Sequence, residues 1–383
     1  MKIAYISTAY LSDCDLPLIR EMTNLGHEVT YILQMSPNTR QATVVNVPKI
    51  KEIGGIFKAS EYEGLEFMAD YLPLDNVYVQ NIANCREWHP SSLKSVWSLL
   101  LFLIRKKFDV IHLTWPLRYS AFPLYVLRNK MILTMHDPIP HSSDRNLLNS
   151  IYRWMAFKNV RNFIILSESL KEEFVKMYGL EQKIVFVSRL GIYEILKKSV
   201  PAEMKLPQNY ILFVGSINPH KGIKYLCEAM HTVHKQYPEL YLVIAGRGKF
   251  DFDIDKYCAK LPIHVINRFI LNEELLTLMR QSRMVVCPYI DATQSGVIMS
   301  AFALNKPVVC TNVGALPEMV KDNRYGKIVA PENSQALADA IVSMNTDDVL
   351  NQMSEFIDKD HSQGMRSWRS IAEETISFYN NTK

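Results

Sequence analysis

Two loops in the second half of the chain carry groups suited to holding an anion. The first, Ile217-Asn218-Pro219-His220-Lys221-Gly222, follows the apolar run YILFVGS and precedes a helical pattern. Lys221 is expected to open the first helical turn, where free N–H groups and the helix dipole favour negative charge. A lysine there is locally unfavourable unless an anion lies beside it; a merely solvated lysine is the plainer reading. The second loop, DATQSGVIM from Asp291, repeats the layout after RMVVCPY. Thr293, Gln294 and Ser295 can cap a helix or donate hydrogen bonds, and Gly296 permits close approach of a ligand to the backbone. An ordinary N-cap explains that loop alone, but two anion-ready helix starts on one sheet suit a diphosphate. A third stretch, TNVGALPEMV, puts Glu318 at a helix start. There it either complements the dipole or accepts hydrogen bonds from ribose or sugar hydroxyls.

In the first half, TMHDPIPHSSD places His136 and Asp137 at the end of a strand. His136 and His141 with Asp137 raise the question of a metal. The intervening prolines and the lack of a third nearby histidine argue against one, so no metal site is expected. A hydrogen-bonding His136 facing an interdomain cleft is the functional alternative to a satisfied strand-end histidine. DFDID (Asp251 to Asp255) holds two overlapping DxD patterns; such pairs can bind a divalent metal carrying a nucleotide diphosphate, but an acidic first helical turn explains them cheaply. DCD (Asp13 to Asp15) reads as a cap and loop. SLKSVWSLLLFLIRKKFD is the most apolar helical stretch and ends in Arg105-Lys106-Lys107. A buried helix of an α/β layer with a basic C-terminal turn is one reading and contact with an anionic membrane surface is the other.

The elements that must position these residues alternate. KIAYIS, EVTYIL, FDVIHLTW, KMILTMHD, NFIILSES and IVFVS read as strands separated by helical patterns. YILFVGS, LYLVIAG, IHVINRF, RMVVCPY and PVVCTN repeat the alternation later. This predicts an α/β protein with two doubly wound, mostly parallel sheets, in which ligands sit outside the carboxyl ends of the strands. A chain of 383 residues is long enough for two such domains. The expected organisation is residues 1–196, a linker over 197–207, a second domain over 208–360, and a last helix over 361–383. The net charge of +4 is too weak for a nucleic-acid partner, though the basic excess sits in the first half. The six cysteines form no CxxC pair, which suits a reducing cytoplasm. The polar start after KIAYIS does not read as a signal peptide, and no window is apolar enough for a membrane span.

The motifs LFVGSINPHKGIKYLCEA, LVIAGRG, RMVVCPYIDATQSGV, ALNKPVVCTNVGALPEMV and SWRSIAEETISFY, in that order, resemble family 4 of the retaining GT-B glycosyltransferases. The match extends over nearly the whole chain, and the ATQSGV motif is similar to one branch of the family. The resemblance implies two Rossmann-like domains facing across a cleft, the first acceptor-side and the second donor-side. It also implies a final helix crossing back to the first domain. Lys221 matches a lysine that contacts the donor diphosphate. Ser295, Gly296 and Val297 match the helix start over the phosphates, His136 a cleft histidine near the donor sugar, and Glu318 the acid of the family's GGLPE pattern. The chain departs from that pattern in three places. Ser216 stands where the family has an arginine, which leaves Arg247 or Arg268 to substitute. Ala292 and Ser300 stand where it has a pair of glutamates, with Asp291 one position from the first. SDCD replaces an N-terminal glycine pair.

What the resemblance implies is a metal-independent hexosyltransferase with no resident cofactor. It would move a sugar with retention from a UDP- or GDP-type nucleotide sugar to a hydroxyl of a glycan, lipid-linked glycan or polysaccharide. The expected setting is the cytoplasm, with peripheral membrane contact through the N-terminal domain at the inner face. The missing glutamates and Ser216 keep two alternatives open. One is a non-catalytic nucleotide-sugar-binding partner of an active transferase, the other a GT-B nucleotide-sugar epimerase.

Overall fold

The computed structural model describes residues 1–39, 48–139, 147–321 and 323–382, so His141 lies outside the described residues. Packing divides the chain into one unit of Met1–Leu190 with Trp368–Lys383 and a second of Gly191–Ser367.

In the first unit the strands are β1 (Lys2–Thr8), β2 (Glu28–Met35), β3 (Gly55–Lys58), β4 (Val77–Asn81), β5 (Val110–Leu113), β6 (Met131–Met135), β7 (Asn162–Ile165) and β8 (Ile184–Val187). They form one sheet in the order β3-β4-β2-β1-β5-β6-β7-β8, and among the described residues β3 alone runs antiparallel, at one edge. The helices are α1 (Ser12–Asn24), α2 (Pro90–Lys106), α3 (Leu147–Asn159) and α4 (Lys171–Tyr178). The central strands are continuous apolar runs because helices cover both faces of a parallel sheet. Ile6, Ile32, Leu113 and Leu133 of the sheet pack in one core with Val96, Leu99 and Leu103 of α2.

The second unit has a six-stranded, parallel sheet. Its strands are β9 (Tyr210–Val214), β10 (Tyr241–Gly246), β11 (Ile263–Asn267), β12 (Val285–Cys287), β13 (Val308–Thr311) and β14 (Gly326–Val329), in the order β11-β10-β9-β12-β13-β14. Its helices are α5 (Ile223–Gln236), α6 (Asp255–Cys258), α7 (Asn272–Gln281), α8 (Gly296–Ala303), α9 (Leu316–Val320), α10 (Ser334–Met344) and α11 (Asp347–Ser362). The last helix, α12 (Trp368–Asn381), belongs to the first unit and packs on α1. Phe378 stacks on Phe186 with ring centroids 4.8 Å apart, and Arg189 pairs with Glu374 at 2.7 Å.

Several elements depart from the sequence reading. β3, β4, β14 and α11 were not anticipated. α11 is an amphipathic helix that buries Leu350, Met353 and Ile357 on one side and carries Asp347 and Asp348 in its first turn. His361 ends α11 instead of starting the last helix, which begins at Trp368. Asp13 to Asp15 are not a loop: they form the first turn of α1 and are buried against the sheet.

Candidate functional site

In the second sheet the strand order reverses between β9 and β12, and loops leaving adjacent strands at such a point diverge and leave a crevice. The two loops singled out for anion binding are the ones that follow β9 and β12. Here the first correction arises. Lys221 does not open α5; it ends a single 3-10 turn, Pro219–Lys221, and Gly222 separates that turn from the helix. Gly222 is in the left-handed region at φ 63°, and a β-carbon on it would lie 1.9 Å from the carbonyl oxygen of Pro288. That contact seats the first loop on the second. Ile290 donates its backbone N–H to the carbonyl of His220 at 2.8 Å.

The turn aims Lys221 across the second loop, with Nζ 3.7 Å from the centroid of the buried Tyr289 ring. Burial pushes the ammonium below the usual lysine range, and the neighbouring Cys287 and Asp291 push the other way. Ser295 caps α8 by accepting from the Ile298 N–H at 3.4 Å, and Thr293 and Ser295 are buried. Gln294 and Val297 are half-buried and Asp291 is exposed. Thr293 also accepts from the Ala315 N–H at 3.0 Å, which ties the GALPE turn to this loop. Glu318 sits half-buried in α9, its own carbonyl held by the Arg366 guanidinium. Lys221, Asp291 and Thr293 to Val297 therefore share one end of one sheet, with the Glu318 turn bonded to it.

Gly296 has a neighbour from outside its own loop. A β-carbon there would meet the Tyr193 ring at 2.9 Å, so the space beside this glycine is taken by an aromatic ring of the same unit. Tyr193 and Tyr289 were not among the sequence candidates, because nothing in their local spacing marks them.

The arginine candidates separate. Exposed Arg247 follows β10, and its carbonyl accepts from the Ile217 N–H at 3.1 Å, beside Ser216. Ser216 is exposed and accepts from the Asn218 amide at 3.0 Å. Arg268 is held by Glu274 through contacts of 2.6 and 2.5 Å, and Glu274 in turn accepts from the Leu271 N–H ahead of α7. Replacing Arg247 by glutamine should raise the KM for an anionic donor by roughly tenfold, the loss of one charge-assisted contact. The same change at Arg268 should leave KM within about twofold, because an exposed ion pair contributes little. Initial-rate kinetics on both variants decides the pair.

His136 lies in the first unit at the end of β6, beside a different cluster. Cys14 and Asp15 of α1 and His136 bring possible ligand atoms within 4.8 Å of one another. Asp15 accepts from the Tyr5 hydroxyl at 3.0 Å and from that of Tyr31 at 3.4 Å. His112 bonds the Thr134 hydroxyl at 2.6 Å through Nε2 and the Tyr379 hydroxyl of α12 through Nδ1. Tyr5, Cys14, Asp15, His112, Thr134 and His136 line a cavity of about 30 Å³. Burial pushes the Asp15 carboxyl up to about 7 and holds His112 at about 3 and His136 at about 4.

The signs of these shifts give a stability profile. Each imidazole takes up a proton more readily unfolded, near 6.5, than folded. Stability is therefore full above pH 6.5 and falls as pH drops toward the folded values. Asp15 works the other way, holding a proton in the folded state that the unfolded chain releases above 3.8. The histidines outnumber it, so the melting temperature should fall on acidification below 6.5, and more steeply in Asp15→Asn. A flat profile in both proteins excludes this account.

A larger cavity of about 540 Å³ opens at the reversal point of the first sheet, between β1 and β5. Tyr10, Trp115 and Tyr152 line it with the amides of Gln34 and Gln80. Sequence reading passed over these residues because they come from segments far apart in the chain.

Two parallel Rossmann-like sheets, and a C-terminal helix that crosses back to α1 of the first unit, define the GT-B class of α/β protein. Over the whole chain the fold is similar to the crystal structure of Anabaena Alr3699/HepE in complex with UDP. The TM-score is 0.66 at 14% identity, with all of both chains covered. Residues 16–190 match the family model Glycosyltransferase Family 4, and residues 208–347 match Glycosyl transferases group 1. The chain belongs to this family of glycosyltransferases, enzymes that draw on a nucleotide-sugar donor. An uncharacterised glycosyltransferase of Methanocaldococcus jannaschii is 26% identical over 297 residues, 71% of this chain and 75% of that one. A phosphatidyl-myo-inositol mannosyltransferase of Mycobacterium leprae is 25% identical over 260 residues, 66% of this chain and 68% of that one. No helix among the described residues is long and apolar enough to cross a membrane.

Proposed function

We propose that the protein moves a sugar from a nucleoside-diphosphate donor of the UDP or GDP type to an acceptor hydroxyl, with retention and without a metal. The observation that carries this reading is the Lys221 ammonium, set over Tyr289 beside the capped start of α8. Bond breaking between the anomeric carbon and the diphosphate oxygen leaves negative charge on the diphosphate. A fixed ammonium and a helix N-terminus oppose that charge without reorganising, a contribution often worth several kcal/mol. The acceptor oxygen bonds to the anomeric carbon from the face that the diphosphate leaves, and its proton passes to the departing oxygen. Arg247 supplies a second cation at the β10 end, and Glu318 and Asp291 accept from hydroxyls of the donor. His136 of the first unit is proposed as a neutral hydrogen-bonding group, because its low pKa keeps it uncharged at pH 7, able to donate or accept one hydrogen bond.

The cavity of about 540 Å³ takes the sugar of the acceptor, whose apolar faces stack on Tyr10 and Trp115 while its hydroxyls meet Gln34 and Gln80. The acceptor class is a glycan, free or lipid-linked. The test is a mass-spectrometric screen of UDP-, GDP- and ADP-sugars with glycan acceptors, run with and without a chelator. The expected result is a new glycoside whose anomeric configuration, read by NMR, is that of the donor, in equal yield with chelator. Binding of nucleotide sugar with no turnover on any acceptor overturns the transferase reading. Product formed from donor alone points to epimerisation.

A further inference from the structure

The segment Cys85-Arg86-Glu87-Trp88-His89 joins β4 to α2, where an acid is ordinarily solvated. Glu87 is instead buried, and a buried carboxylate has to be paired and hydrogen-bonded. Its partners come from far along the chain. Oε1 accepts from Arg118 Nε at 2.8 Å and from the Tyr152 hydroxyl of α3 at 2.5 Å, and Oε2 accepts from the Ser120 N–H at 2.9 Å. Arg118 spends a second nitrogen, Nη2, on the Cys85 carbonyl at 2.7 Å. Burial raises the Glu87 carboxyl, but the bonds from Tyr152, Arg118 and Ser120 outweigh it and hold the group below the usual carboxylate range.

We propose that Glu87 is a positioning residue for the acceptor: it holds the wall of the cavity of about 540 Å³ without touching what binds there. Cys85, Arg118, Ser120 and Tyr152, the residues fastened through this carboxylate, all line that cavity, whereas Glu87 is not among the lining residues. In the sheet order β4-β2-β1-β5, the strands that lead into the Glu87 and Arg118 segments stand three spacings apart, roughly 14 Å. The two segments must therefore lean together over the ends of β2 and β1, where Gln34, Met35 and Thr8 form the floor. One carboxylate fastens this arch to α3. Net stability is a poor reason for such a group, because desolvation offsets most of the gain from a buried ion pair. Fixed geometry is the better one. Arg118 is the single charged side chain on the wall among the described residues, and with Nε and Nη2 held, its Nη1 makes no bond to a described residue and is left for a ligand hydroxyl.

This inference rests on the acceptor reading of the cavity, and the test separates the two. Cys85 is half-buried on the wall, and Cys258 of the second unit is the half-buried reference thiol. The full-length protein is alkylated with iodoacetamide in the presence of methyl glycosides of glucose, galactose, mannose and N-acetylglucosamine, and both cysteines are followed by peptide mass spectrometry. At least one glycoside should slow alkylation of Cys85 and leave Cys258 unchanged. Glu87→Asp keeps the charge but is one methylene short of its three donors, so the glycoside concentration needed for protection should rise roughly tenfold, about one well-made hydrogen bond. Glu87→Gln loses the charge but keeps the oxygen that Arg118 and Tyr152 share, and should stay within about threefold of the parent. Gly179→Ala, strained elsewhere in the first unit at φ 62°, should melt earlier with protection intact. Glu87→Asp that is protected like the parent overturns the proposal, as does an equal loss of protection in Gly179→Ala or a Glu87→Gln variant weaker than Glu87→Asp. A parent whose Cys85 no glycoside protects overturns the acceptor reading of the cavity itself, and the role of Glu87 with it.

Discussion

Lys221→Ala lowers kcat/KM for the nucleotide sugar by roughly two to three orders of magnitude, the loss expected for one fixed group facing developing charge. The melting temperature should stay within a few degrees, because the contact given up is one cation–π pair with Tyr289, about 1 kcal/mol. Steady-state kinetics alongside thermal unfolding separates the two effects. Retention of more than about a third of parental turnover would falsify the assignment of Lys221 to the diphosphate.

The pH dependence sharpens the test. Burial holds the Lys221 ammonium below its ordinary value of 10.5 in the free protein. Donor affinity should thus decline at alkaline pH, earlier than an exposed lysine would cause. Lys221→Arg should carry affinity to higher pH, since a guanidinium does not titrate there. Stability runs the opposite way. The unfolded chain keeps the Lys221 proton to higher pH than the folded one, so this group adds stability as pH rises toward 10.5.

Gly222→Ala is the second large effect, and here stability and donor binding fall together. The left-handed backbone costs an alanine roughly 1 to 2 kcal/mol. A β-carbon 1.9 Å from the Pro288 oxygen must also push the β9 and β12 loops apart. The combined loss should reach roughly 3 kcal/mol in urea unfolding, within the range of large single-site effects. Gly179 provides the comparison. It has a nearly identical φ of 62°, but its nearest neighbour would be a Glu181 side-chain oxygen at 4.0 Å. Gly179→Ala should therefore show the backbone cost alone, with donor KM unchanged. Gly222→Ala should raise that KM, because the movement displaces Lys221 from Tyr289. If the two variants lose equal stability, the seating of one loop on the other is not what holds Lys221.

The sequence alone determined the parallel-sheet class, since Ile, Val and Leu runs alternating with helical periodicity leave little else to form. It also determined that the loops after β9 and β12 hold the candidate groups, because Lys221, Ser295 and Gly296 are marked by residue type and by position next to a strand. Local pattern also carried the signal for α11, whose Leu350, Met353 and Ile357 stripe follows helical spacing and was passed over. The short strands β3 and β4 were harder, since the antiparallel edge strand β3 and the neighbour it pairs with are defined by their partners and not by their own periodicity.

Only the tertiary structure decided which groups meet. Arg247 and Arg268 look equivalent in sequence, yet one adjoins the β9 loop while Glu274 takes the other. Asp15 looks like a capping acid until the sheet brings Tyr5 and Tyr31 to its carboxyl. Tyr193 fills the space that Gly296 leaves, and Tyr289 receives the Lys221 ammonium. Each of these contacts joins segments that no local rule connects. Backbone propensity and periodicity act over a few residues, whereas burial and charge pairing act between whatever the folded chain places side by side.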